Sequence, residues 1–189
     1  VALLIGAALQ LRLTLSNRLI GAVMGFGGGT LISSIPAWAA ATRQGLADCA
    51  VELTDDEHKS LAYLALTDCL IGKGHDQTMI DRVCVARDVY LPDLLRELTT
   101  WYDDALATLD ALNHLPTAVV TSAHNTAVDA VHQTLGVRDY IDTFVVWEDV
   151  YPRHKPHPYP LQLAAERLGV NVEECLYIGD TLPDIRCEI

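Results

Sequence analysis

Hydrophobic residues fall into two textures along the chain. In the second half, short apolar runs at Thr117–Val120, 144–147 and Cys175–Ile178 alternate with stretches of helical period. Each run leads into a loop rich in polar residues, Gly or Pro, and a further apolar run over 19–26 leads into a glycine loop. Runs this short, unbroken by charge, read as strands buried on both faces. Their alternation with helices predicts an α/β fold, a Rossmann-like parallel sheet covered on both sides.

From 35 to 112 the period is helical, and no strand is expected. A helix over 35–46 carries Pro36 in its first turn. Thr54-Asp55-Asp56-Glu57 has the form of a capping box and predicts a helix running to Leu66. A segment over 76–90 follows the Gly72-Lys73-Gly74 turn. Pro92 then opens another helix, with Leu94, Leu95, Leu98, Trp101, Tyr102, Ala105, Leu109 and Leu112 on one broad face. Further on, helices close at Leu135-Gly136 and at Leu168-Gly169. The expected organisation is an α/β core from 1–34 and 113–189, with 35–112 inserted after the first strand as a helical unit.

Charge narrows the partners. Thirteen Lys and Arg stand against 25 Asp and Glu, a net charge of −12. That excess repels phosphate backbones, so no nucleic-acid partner is expected. The acid is unevenly spread, because no Asp or Glu precedes Asp48. Residues 19–41 are uncharged, but three consecutive glycines and Pro36 interrupt them, and no membrane span is expected. The apolar start lacks a basic leader, and the five cysteines form no C-x-x-C pair. A reducing cytoplasm is the expected compartment.

In open α/β sheets the working residues sit on loops at the carboxyl ends of strands, a rule that selects three places. Thr121-Ser122-Ala123-His124-Asn125 leads into a helix, where a hydroxyl and exposed N–H groups suit a phosphate oxygen, or form a plain N-cap. Arg153-His154-Lys155-Pro156-His157-Pro158 presents a lysine on a stiff loop. That suits a fixed positive charge near a phosphoryl group, or a solvated basic loop. The two histidines lack a third partner for a metal site. Gly179-Asp180-Thr181-Leu182-Pro183-Asp184 offers two carboxylates that could approach one Mg²⁺, or a helix N-terminal acid and its cap.

Taken together, AVVTSAHN, RHKPHPYPLQLAAERLGV and EECLYIGDTLPDI resemble the second, third and fourth motifs of the haloacid dehalogenase superfamily of phosphohydrolases. The likeness is strongest to the branch of phosphoglycolate phosphatases and beta-phosphoglucomutases. It implies that Thr121 binds phosphoryl oxygens, that Lys155 neutralises charge, and that Asp180 holds Mg²⁺ with Asp184 in support. Ser122 and Asn125 of the same loop become candidates for substrate contact, a small phosphorylated metabolite the expected ligand, and the insertion the family's helical cap. Relatives continue beyond the fourth motif through a helix and a further strand, so the carboxyl end of the core is expected to be truncated.

The first motif of that family, D-x-D-G-T, supplies the nucleophilic aspartate and an acid/base aspartate. Here the text is Met24-Gly25-Phe26-Gly27-Gly28-Gly29-Thr30. Anchoring on Gly29-Thr30 puts Phe26 and Gly28 at the aspartate positions; one extra glycine puts Gly25 and Gly27 there. Neither register contains a carboxylate, so no aspartyl-phosphate can form. The expectation is a phosphohydrolase by lineage that does not turn over, the alternative a non-catalytic module for a phosphorylated ligand or a protein.

Overall fold

The computed structural model describes residues 21–25, 30–61, 66–180 and 182–187. A four-stranded, fully parallel sheet organises the larger unit. Its strands are β1 (Gly21–Gly25), β4 (Thr117–Val120), β5 (Thr143–Val145) and β6 (Cys175–Ile178), in the order β5-β4-β1-β6. The registers pair Gly25 with Val120 and Met24 with Ile178. These strands therefore end at one level, which sets Thr121 and Gly179-Asp180 at the same edge. Parallel neighbours need crossovers, and helices α5 (Ala105–Leu112), α6 (Asn125–Leu135) and α8 (Tyr159–Leu168) supply them. Gly136 and Gly169 close α6 and α8 with φ of 64° and 68°, the left-handed region that L side chains avoid. Ala118, Val120, Val145, Val150, Leu161, Ala164 and Cys187 form the core beneath the sheet.

The run at 144–147 divides differently from expectation. Strand β5 stops at Val145, and Trp147 begins a one-turn helix, α7 (Trp147–Val150). The Val146 N–H donates to Asp149 Oδ2 at 2.9 Å, a cap that turns the chain out of the sheet.

The backbone separates into two compact units, one holding the described residues up to Ser33 together with those from Thr100 onward, the other Ser34–Thr99. In the second unit α1 (Ile35–Asp48) packs on α4 (Gln77–Leu98), with α2 (Asp55–Ser60) and α3 (Leu66–Gly72) between them in sequence. Leu46, Val51, Leu70, Ile80 and Val83 form its core. The capping box at α2 is present: Glu57 N–H donates to Thr54 Oγ1 at 3.3 Å, and Thr54 N–H to Glu57 Oε2 at 2.7 Å. That helix stops at Ser60 rather than Leu66, and residues 62–65 lie outside the described set.

Two expectations about this region are corrected. Pro92 lies inside α4 rather than opening a helix. A mid-helix proline removes one backbone bond, but buried Ile80, Val83, Leu91 and Leu95 anchor the same helix on both sides of it. The long face drawn from Leu94 to Leu112 is also broken. Thr100–Trp101 forms a strand, β3, antiparallel to β2 (Ile32–Ser33), with Ile32 opposite Trp101. Helix α5 therefore belongs with the sheet-bearing unit, and the second unit ends at Thr99 rather than 112.

Candidate functional site at the strand ends

Thr121 follows β4 directly and is buried. Its N–H donates to Val145 O at 2.9 Å, and its Oγ1 accepts from Ala123 N–H at 3.0 Å, folding the loop back on the strand. Ser122 lies exposed in that loop. Asn125 begins α6, but its N–H is held by the Glu148 carboxylate at 3.1 and 3.2 Å. The Asn125 side chain donates to Asp129 at 2.9 Å and accepts from Arg138 at 2.9 Å. Asn125 thus sits in a hydrogen-bonded network with Glu148, Asp129 and Arg138. Burial pushes the Glu148 carboxyl up, but hydrogen bonds from the backbone, Asn125 included, and from His124 bring it below the ordinary value.

Lys155 reaches back to the end of β4. Its ammonium donates to Asp184 Oδ1 at 2.5 Å, to Val120 O at 3.3 Å and to Tyr177 Oη at 3.5 Å. The Lys155 and Asp184 side chains are only 6% and 2% exposed. Tyr177, on β6, donates its hydroxyl to the same Asp184 oxygen at 2.6 Å. Burial, then that bond, raises the Tyr177 pKa far above the usual phenol range, so the group stays a donor.

Asp184 sits on α9 (Leu182–Ile185), whose start is folded tightly against the end of β6. A Cβ on Gly179 would lie 2.4 Å from the Asp184 Cβ, so this approach requires glycine. Asp180, one residue on, accepts from the Thr30 hydroxyl at 3.0 Å. The Asp180 residue is exposed, with its carboxyl partly desolvated. That burial, opposed by the Thr30 bond and reinforced by the Asp184 charge, raises its pKa.

Thr121, Lys155, Asp180 and Asp184 are therefore brought to one edge of the sheet, and Asn125 begins the helix that follows the Thr121 loop. Sequence reading missed Tyr177 as a member of this cluster, and Gly179 as the residue that admits Asp184. The sequence carries no signal for the Tyr177 hydroxyl, because within a buried strand it reads as one more apolar position. Residues 26–29, within the glycine loop that follows β1, lie outside the described set.

Among the described residues, the carboxylates at this edge do not by themselves complete an Mg²⁺ site. Asp184 Oδ1 is taken by Lys155 and Tyr177, which leaves Asp180 as the carboxylate nearest to a ligand role. Among the described residues no group of three or more His, Cys, Asp or Glu is arranged to hold a metal. A hard ion of this kind wants several oxygens.

Residues 28–186 match the family of haloacid dehalogenase-like hydrolases. The chain is 28% identical over 166 residues to the phosphoglycolate phosphatase of Yersinia pseudotuberculosis, covering 83% of this chain and 71% of that protein. Two solved structures show the same fold. One is a proposed phosphoglycolate phosphatase of Lactobacillus plantarum (TM-score 0.78, 19% identity, 89% of this chain and 81% of that one). The other is a HAD hydrolase, family IA, variant 3, of Entamoeba histolytica (TM-score 0.74, 20% identity, 89% and 79%). Among the described residues no helix is long and apolar enough to cross a membrane. With a family match spanning most of its length and a parallel sheet carrying Thr121, Lys155 and Asp180 at one edge, the chain belongs to the haloacid dehalogenase-like hydrolases.

Proposed function

We propose that this chain is a phosphatase-lineage protein that binds a small phosphate monoester without hydrolysing it. One observation carries the reading. Strand β1 ends at Gly25, level with Val120, and the residues that follow in sequence are Phe26-Gly27-Gly28-Gly29. The place where the family carries its nucleophile thus offers no carboxylate. Thr121 and Lys155 supply a hydroxyl and a positive charge at that edge, which supports binding of an anion. Asp180 and Asp184 offset the Lys155 charge, so the affinity is modest, on the order of 1 mM. The expected Mg²⁺ adds little, because Asp184 is spent on Lys155. In this reading the helical unit Ser34–Thr99 is the family's cap, and the protein works in the cytoplasm, where its cysteines remain thiols.

Titration of the ¹⁵N-labelled chain with phosphoglycolate tests the reading. Shifts confined to the Thr121–Ala123 amides and lost in Lys155→Ala support it. Absence of shifts up to about 20 mM, some twentyfold above the expected constant, would overturn it in favour of a protein-binding role.

A further inference from the structure

Beside these residues lies a ring cluster that the phosphate chemistry does not use. The imidazole of His154 stacks on the indole of Trp147, with centroids 3.4 Å apart and planes within 10°. Tyr151 meets His154 edge-on at 5.9 Å, and His124 lies 5.8 Å from the Trp147 ring. Neither ring nitrogen of His154 has a hydrogen-bond partner, although both are buried. Burial, then the nearby His124, lowers its pKa and favours the neutral ring. An imidazole with both nitrogens idle and shielded is poorly placed to shuttle protons or to ligate a metal. What it presents to its surroundings is a flat surface.

The position of the stack gives that surface a task. Trp147 follows β5, and its N–H donates to Ala123 O at 3.0 Å, inside the loop that begins at Thr121. His154 immediately precedes Lys155, whose ammonium returns to Val120 O. Trp147 therefore joins the loop carrying Thr121, through its N–H, to the loop carrying Lys155, through its ring. The His124–Glu148 contact at 3.1 Å and the Glu148 bonds to Asn125 N–H brace the same junction from the other side.

We propose that the Trp147–His154 stack is a clamp that fixes the Thr121 and Lys155 loops as one unit, with His154 a positioning residue acting through its ring plane. The ligand arm of its test rests on the phosphate-binding reading; the loop arm does not.

The experiment measures amide hydrogen exchange and inorganic phosphate binding on the full chain, in wild type, His154→Ala, His154→Phe, Trp147→Leu and the double variant. In His154→Ala, exchange at Thr121, Ala123 and Trp147 should rise about tenfold or more, with Val83 in the helical unit unchanged. Phosphate binding should weaken by about tenfold, and His154→Phe should recover both to within about threefold of wild type, because a ring is retained. Trp147→Leu should reproduce the exchange pattern at Thr121 and Ala123, and the double variant should add nothing further. Unchanged exchange in both His154→Ala and Trp147→Leu overturns the clamp. A His154→Phe protein as impaired as His154→Ala overturns the ring-plane role. If wild type binds no phosphate, the functional reading fails and the exchange arm still decides the clamp. If His154→Ala does not fold, Trp147→Leu and His154→Phe decide it.

Discussion

The Lys155 ammonium and the Asp184 carboxylate meet at 2.5 Å with almost no solvent on either side chain. Such a pair adds little net stability over apolar packing, because both ions give up their hydration. Removing one partner is another matter, since it strands a charge in the protein interior. Asp184→Ala should therefore lower unfolding stability by about 3–5 kcal/mol, read from urea denaturation. Replacing both residues, Lys155→Met with Asp184→Leu, should restore most of it. A single variant within about 1 kcal/mol of wild type contradicts the buried pairing.

Gly179→Ala should disturb the same contact from the backbone side. The new Cβ would fall 2.4 Å from the Asp184 Cβ and 2.9 Å from its Oδ2, so α9 must move. The expected loss is about 1–3 kcal/mol. Gly72→Ala is the control, since a Cβ there meets nothing within 4 Å at the end of α3. It should be neutral or raise the melting temperature, and equal losses at both sites would rule out the close approach.

Tyr177→Phe isolates one hydrogen bond. The phenol donates to Asp184 Oδ1 at 2.6 Å, beside the Lys155 ammonium. Its removal should cost about 1.5–3 kcal/mol, the range for a bond to a charged acceptor. In an Asp184→Leu, Lys155→Met background the same change should cost much less, and a double-mutant cycle reads the difference.

The helical unit should weaken in acid through Glu57. The hydrogen bond from Lys73, together with the Thr54 N–H, lowers its pKa from the ordinary 4.5 to about 2. A depressed carboxyl adds stability above its unfolded pKa and loses it as pH falls through the folded one. Melting temperature should thus decline between pH 4.5 and 2, and Glu57→Gln should flatten that decline. Identical profiles for the two proteins would remove Glu57 from the account.

Legibility in the sequence followed the length of each signal. Strands β4 and β6 were readable to the residue, because each is an apolar run bounded by polar or glycine positions. Two-residue β3 was not, since Thr100–Trp101 is too short to alternate and sits in phase with the helical face around it. Pro92 misled because local backbone chemistry marks a break, whereas tertiary packing carries α4 through it. Within the site, Thr121, Lys155, Asp180 and Asp184 were visible as motif text. Their partners were not. The Tyr177 hydroxyl and the His154 ring owe their roles to contacts made across the sheet edge or across a proline loop, where residue spacing carries no period.

The central claim is that a phosphatase fold has kept its second, third and fourth motifs and lost its nucleophile. Phosphate release from phosphoglycolate with Mg²⁺ tests it most directly, comparing wild type, Asp180→Ala and a variant carrying Phe26→Asp with Gly28→Asp. The account predicts release at background in wild type, unaltered by Asp180→Ala, and measurable only when carboxylates are restored after β1. Robust wild-type turnover that disappears in Asp180→Ala would contradict it and place a nucleophile outside the loop that follows Gly25.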